Sequence, residues 1–185
     1  MIRIGTGHSD HADGFKAAES VAESALRSGL ITRPDLVVAF CPGPLDHDAF
    51  LQGLQQKVGK SVPIIGGSSI GIITNGYISY RGTPSGAAII QGDDCTFRVA
   101  SSSGLDKGET PTGTSLARKL RLNDQDKLLL TFYDSVRRPA TPNSPPALNA
   151  SAPLLEGLTK ELNEEIPIVG AGLIGDYAFG ATRQF

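Results

Sequence analysis

Tryptophan is absent from the 185 residues, methionine occurs once, and aromatic side chains make up only 6% of the chain. A ligand cage built from aromatic rings is therefore not expected. Cysteine occurs twice, at Cys41 and Cys95, far apart and outside any CxxC spacing. That usage argues against a disulfide scaffold and for reduced thiols. An excess of charge is missing as well: 17 Lys and Arg stand against 19 Asp and Glu, a formal net charge of −2. The densest basic groups, Arg137-Arg138 and Arg118-Lys119 with Arg121, make no broad positive face, which argues against nucleic acid as a partner. Long hydrophobic runs are lacking too. A run such as Leu36–Cys41 is far too short to cross a bilayer. The opening residues turn polar at Gly5, so no signal peptide is expected. The expected address is the cytoplasm.

What the chain has in quantity is glycine, 22 residues, and proline, 12. Both point to many turns and short elements. An apolar fraction of 39% suffices for a core at this length, and a single domain over residues 1–185 is expected, with halves of about 1–105 and 106–185. Ile2–Ile4 reads as a short strand that breaks at Gly5-Thr6-Gly7. Ser9, Asp10 or Asp13 can cap the following helix, whose stripe is Phe15, Ala18, Val21, Ala22, Ala25 and Leu26. Gly29 ends it. Leu36–Phe40 reads as a central strand covered on both faces. Asp46 or Asp48 then caps a helix carrying Phe50, Leu51, Leu54 and Val58. Val62–Ile65 is a strand leading into the turn Gly66–Gly71.

From Ile72 to Ala100 the pattern becomes an antiparallel meander of two to four strands, punctuated by Asn75-Gly76, Arg81-Gly82 and Gly92-Asp93. Ser101–Gly113 reads as a polar connector before helical spacing resumes over Thr114–Leu120. Asp126–Phe132 is a second central-type strand. Arg138–Ser151 carries prolines at 139, 142, 145 and 146 and is expected to be irregular.

An internal repeat organises these elements. Residues 50–71 align with residues 154–175 at a constant shift of 104, with eight identities in 22 positions. Leu51, Gly53, Leu54, Pro63, Ile64, Gly66, Ile70 and Gly71 match Leu155, Gly157, Leu158, Pro167, Ile168, Gly170, Ile174 and Gly175. Two strand–helix units share apolar spacing by necessity, but the Pro-Ile-x-Gly…Ile-Gly frame goes beyond that. Asp35–Phe40 resembles Asp126–Phe132 upstream, with the proline-rich stretch absorbing the length difference. The expected fold is α/β: a mixed sheet or sheets with helices outside, in two pseudo-symmetric strand–helix–strand halves plus the meander. A four-layer α/β/β/α arrangement is the alternative.

The order of these motifs resembles the FIST sensory domain, specifically its N-terminal part. The matching landmarks are Gly5-Thr6-Gly7-His8-Ser9 before an Ala/Glu-rich helix, the strand Asp35–Phe40 and the Val62–Gly71 turn. Gly170…Gly175-Asp176-Tyr177-Ala178-Phe179 completes the set. Three features depart from the family pattern: Cys41 where a small hydroxyl residue is common, Ser69-Ile70, and the proline-rich stretch. The resemblance implies a cytoplasmic input domain that binds a small molecule such as an amino acid and couples to a signalling output. It also implies a C-terminal companion domain as partner.

Several motifs invite chemistry. Gly67-Ser68-Ser69-Ile70-Gly71 fits G-x-S-x-G, yet a nucleophile elbow needs a helix after the turn and strand-like residues follow. Gly170-Ala171-Gly172-Leu173-Ile174-Gly175 fits G-x-G-x-x-G, yet no helix start follows it either. No Walker lysine follows a glycine turn, and no cofactor is expected. His8, His11, Asp10 and Asp13, or Asp46-His47-Asp48, offer metal-ligand types, but both groups sit at helix starts where aspartate caps. Cys41, at a strand end, reads as a small buried hydrophobe or as a nucleophile. The expected site therefore lacks a catalytic residue and a metal. It comprises the glycine turns Gly66, Gly67, Ser68, Ser69 and Gly170, Ala171, Gly172, whose amides and hydroxyls suit a carboxylate. His8, Ser9 and Asp176 join them from the family landmarks. A small hydrolase or transferase using Ser69 or Cys41, and a non-catalytic scaffold, are the rival readings.

Overall fold

The computed structural model describes residues 1–121, 125–162 and 166–185 of the chain; repeat positions 163–165 lie outside that set. It is an α/β protein whose described residues divide into two compact units, Met1–Phe97 with Ile174–Phe185, and Arg98–Leu173.

The first unit is built on a four-stranded mixed sheet. Its strands are β1 (Ile2–Ser9), β2 (Leu36–Cys41), β3 (Ile64–Ser68) and, after a small hairpin of β4 (Ile72–Thr74) and β5 (Tyr77–Ser79), β6 (Ser85–Gly92). The order is β1-β6-β2-β3. Strand β6 runs antiparallel to β1 and β2, while β2 and β3 are parallel. Two helices, α1 (Gly14–Ser28) and α2 (His47–Val58), carry the apolar stripes. Val21, Ala25, Phe50 and Leu54 pack with Val37, Ala39, Cys41 and Ile89, all fully buried. Burying a Val, Leu, Ile or Phe side chain contributes roughly 1.5–3 kcal/mol each. Asp13 and Asp46 are the caps, each side chain accepting the amide three residues on, and Gly29 closes α1.

Three local expectations are corrected here. Strand β1 does not break at Gly5 but runs on to Ser9, because Gly5 faces α1, where a Cβ would lie 1.9 Å from the Ala25 carbonyl oxygen. The glycine shortens the strand-to-helix distance instead of turning the chain. The strand that follows α2 starts at Ile64 rather than Val62 and continues through Gly66 and Gly67 to Ser68. The meander does not form as a unit. Only β4 and β5 pair with each other, around Asn75-Gly76, and β6 leaves them to enter the main sheet between β1 and β2. Its small, buried residues Ser85, Gly86 and Ala87 suit that interior place.

The second unit holds α3 (Glu109–Leu120), β7 (Leu129–Asp134), β8 (Val136–Arg138), β9 (Ala147–Leu148), α4 (Ser151–Thr159) and β10 (Ile168–Leu173). Helix α3 therefore begins inside the expected connector. Pro111 is tolerated there because it stands in the first turn, where amides lack intrahelical acceptors. β7 begins at Leu129 rather than 126, and its partner among the described residues is β10 alone, in parallel. The proline-rich stretch is also more regular than expected. It folds back on itself, with β8 pairing β9 and a bridge joining Thr141 to Ser144. The bridge amides belong to Thr141 and Ser144, so the four prolines fall where no ladder donor is needed.

The two units share a register. Val37 pairs with Ile64 and Ala39 with Gly66; Leu129 pairs with Ile168 and Thr131 with Gly170. The amide of Val37 donates to the Pro63 carbonyl and that of Leu129 to the Pro167 carbonyl. α2 and α4 stand at the repeat shift of 104, with Leu54 and Leu158 both fully buried.

Candidate functional site

Strands β1, β2 and β3 run in one direction, so their carboxyl ends meet at one edge of the first unit, joined there by the start of antiparallel β6. In open α/β sheets this is the edge that binds ligands. The side chains that converge there are polar and buried. Ser9 faces Ser85 in register and Cys41 faces Ser68; the four are between 0 and 7% exposed.

The centre of this edge is Ser68. Its hydroxyl lies 3.1 Å from Nε2 of His47, a residue 5% exposed in the first turn of α2. Nδ1 of the same ring is 2.8 Å from the Leu45 carbonyl oxygen. A carbonyl only accepts, so Nδ1 carries the proton and Nε2 accepts from Ser68. Burial holds the imidazole below the ordinary histidine range, despite the partly offsetting bond to Leu45. The Ser68 oxygen in turn accepts the Arg183 amide at 2.9 Å, and the Ser68 amide donates to the Arg183 carbonyl at 2.9 Å.

Arg183 belongs to the segment Ile174–Phe185, whose last three residues lie along β3. Gln184 bridges Gly67 in antiparallel fashion. The Phe185 amide reaches the Gly66 carbonyl at 3.3 Å, and the Gly43 amide reaches the Gly175 carbonyl at 2.8 Å. The Phe185 ring stands 5.8 Å from His47 and 5.9 Å from Phe50. The amides of Ser68 and Ser69, which the sequence offers to a ligand, are thus already bonded within the unit, the second to the Cys41 carbonyl at 2.9 Å. What stays open is different. Ser69 follows Ser68 in the chain and Thr182 precedes Arg183, so these two residues flank the bonded Ser68–Arg183 pair. The hydroxyl oxygens of both residues are buried with no hydrogen-bond partner. Among the described residues only Asn149 carries another such atom. Asp176 is half-buried and shapes the same segment, its Oδ1 accepting the amides of Ala178 and Gly180 at 2.8 and 2.9 Å.

His8 and Ser9 lie at the same sheet edge. The exposed His8 ring stacks on Tyr77 of β5, centroids 3.8 Å apart. Tyr77 donates to Asp10 at 2.6 Å, and Ser9 accepts the His11 amide at 3.2 Å. The stacking on His8 and the bond to Asp10 pin the hairpin to the end of β1. No group of three or more metal-ligand side chains gathers among the described residues.

Gly170, Ala171 and Gly172 belong to β10 of the second unit. A Cβ at Gly170 would lie 1.7 Å from the Thr131 carbonyl oxygen, and one at Gly172 would lie 1.9 Å from the Ser135 hydroxyl. Close backbone approach explains Gly170, whereas Gly172 makes room for the side chains of Ser135 and Tyr133. Near them Asn149, 7% exposed, donates through Nδ2 to the Asp134 carbonyl at 2.8 Å, leaving Oδ1 unpartnered. No helix follows either glycine motif: Ser69 leads into β4, and Gly172 lies inside a strand.

Neither residue of the hydrolase reading is primed for attack. Ser69 has no base bonded to its hydroxyl, and burial pushes the Cys41 thiol up to about 12, far from the thiolate that chemistry needs. Sequence reasoning missed His47 as a partner of Ser68. Its only trace is an imidazole between two aspartates at a helix start, which reads as capping or metal binding until the fold brings β3 beside α2. No helix among the described residues is long and apolar enough to cross a membrane. Nothing among the curated proteins or the solved structures matches the chain. The FIST N domain, from a family of sensory domains, matches residues 35–185. With more than half its length covered by that match, the chain belongs to the FIST N domain family.

Proposed function

We propose that this chain is a cytoplasmic signal-input domain that binds a small polar metabolite, such as a free amino acid, at the carboxyl edge of the first unit's sheet. The observation that carries this reading is the pair of unpartnered buried hydroxyls, Ser69 and Thr182. A buried polar group without a partner costs about 1–3 kcal/mol, so two that flank one bonded pair favour a molecule that supplies acceptors, as a carboxylate does. Gly66, Gly67 and Ser68 form the wall of that site, Asp176 shapes the segment over it, and His8 and Ser9 stand along the same edge. Gly170, Ala171 and Gly172 hold the corresponding strand position in the second unit. A C-terminal companion domain or a signalling protein receives the output.

The test is a thermal-shift series with the purified chain and free amino acids supplied singly. A binder at a hundred times its Kd stabilises the fold by about 2.7 kcal/mol. A stabilising amino acid whose effect drops in Ser69→Ala and Thr182→Val supports the reading. Absence of any shift, or a shift that survives both substitutions, overturns it.

A second reading draws on one observation. Ser68 donating to a neutral imidazole is the arrangement of nucleophile and base in acyl transfer. Turnover of small activated esters that vanishes in Ser68→Ala would favour it over the sensor.

A further inference from the structure

We infer that the segment Ile174–Phe185 is the moving part of this sensor, a strap on β3 that the bound ligand fastens. The inference rests on the site proposed above and names its regulation. The strap supplies one of the two unpartnered hydroxyls, Thr182, while β3 leads into the other, Ser69. A ligand that bonds both must bind the docked strap better than the lifted one, and that difference is what shifts a conformational equilibrium.

The strap is built to move. Its backbone is held at its two ends, by Gly43 on Gly175 and by Ser68 and Gly66 on Arg183 and Phe185. Between these anchors it turns on itself around Asp176, with Phe179 in the left-handed region at φ 55°, a conformation that costs a residue with a side chain about 1–2 kcal/mol. Ala181, Arg183 and Gln184 are exposed. Its ion pair, Arg183 with Asp48 at 3.3 Å, has both side chains largely in solvent, where such pairs add little. Apart from the Phe185 ring, which packs on the core, the segment has few anchors, which marks an element that opens locally before the sheet does. Its seat, by contrast, is rigid. Ser68 is 1% exposed and locked to His47, itself fixed by Leu45.

The experiment is hydrogen exchange on the full chain, with and without the amino acid that gives the largest thermal shift, in wild type and in Thr182→Val. The expected result is that this amino acid slows exchange of the Arg183 and Phe185 amides about tenfold, an ordinary coupling between a ligand and a conformational step. Amides inside α1 stay unchanged, and Thr182→Val loses the slowing while remaining folded. An amino acid that shifts the melting temperature yet leaves these two amides unchanged, or speeds them, overturns the strap and leaves the binding site standing. If no amino acid shifts the melting temperature, site and strap fall together. Thr182→Val exchanging like wild type at saturating amino acid also overturns the strap.

Discussion

His47 and Ser68 form a buried side-chain pair, Nε2 to Oγ at 3.1 Å, that links helix α2 to the end of strand β3 and, through Arg183, to the C-terminal segment. The serine works in two directions at once. It donates its single proton to the imidazole and accepts the Arg183 amide. Replacing it with alanine leaves the buried His47 Nε2 and the part-buried Arg183 amide without this partner. Ser68→Ala is expected to lower unfolding free energy by about 1–3 kcal/mol, the cost of stranding such groups. Urea denaturation checks this, and an unchanged midpoint would show the bonds to be ornamental.

The same pair sets a pH dependence. Burial lowers the His47 pKa in the folded chain relative to its ordinary 6.5. Between the folded and unfolded values the unfolded chain therefore binds more protons, and stability rises with pH. The contribution is fully present above about 6.5 and is lost as pH falls through the lower folded value. Melting temperature is expected to decline on acidification below neutrality, and less steeply in His47→Gln. Parallel pH profiles for wild type and variant would remove His47 from this role.

The unpaired hydroxyls make a prediction that runs against ordinary intuition about polar residues. Ser69→Ala and Thr182→Val each delete a buried oxygen that nothing bonds. Removing such a group is neutral or stabilising for the free chain, whereas binding sites characteristically give up stability for function. In the absence of ligand both variants are expected to melt at or above the wild-type temperature. A clear loss of stability in either would mean that its hydroxyl already has a structural partner, and would take the ground from under the proposed site.

How much of this was legible from residues alone depends on where the information lies. Helices α1 and α2 were readable because Asp13, Asp46 and Gly29 mark their ends locally and the apolar stripes repeat at helical spacing. The start of β2 was readable at Leu36, whereas β3 begins two residues later than its apolar run suggests, at Ile64 instead of Val62, and continues past the end of that run. Gly66 and Gly67 look like a turn in sequence and are strand in the fold, and what Gly66 answers to is the Ala39 carbonyl of β2 across the ladder. β6 was misplaced for a related reason: which neighbour a strand chooses is a property of the sheet, not of the strand. The site followed the same rule. Ser68 and Ser69 were visible as candidates, but His47 and Arg183 reach Ser68 from 21 and 115 positions away in sequence. No local pattern carries that.

Cys41 and Cys95 separate cleanly by environment. Cys41 is fully buried against the α1 and α2 helices, with its thiol pushed up to about 12, while Cys95 is exposed. Reaction rate with a thiol reagent follows thiolate fraction and access. The native chain is expected to take one equivalent of a chromogenic disulfide reagent quickly, at Cys95, and the second only on unfolding. Rapid labelling of both under native conditions would show that the end of β2 opens, which the packed core excludes.

Gly66 and Gly170 carry the sharpest comparison between the two units. Each pairs, in parallel register, with a residue whose carbonyl oxygen fills the space a side chain would take. The Cβ-to-oxygen distance would be 1.9 Å to Ala39 for Gly66 and 1.7 Å to Thr131 for Gly170. Gly66 adds a φ of +132°, a region that residues with a Cβ avoid. Neither obstacle is the far end of a flexible side chain, so relief requires the strands to part. Gly66→Ala and Gly170→Ala are both expected to cost more than about 4 kcal/mol, at the severe end for single substitutions. Gly66→Ala carries the extra backbone strain. Chemical denaturation or soluble yield measures the loss. If Gly170→Ala proved as stable as wild type while Gly66→Ala did not, positive φ and not the shared ladder position would be the reason for glycine. The correspondence between β3 and β10 would then be one of sequence only.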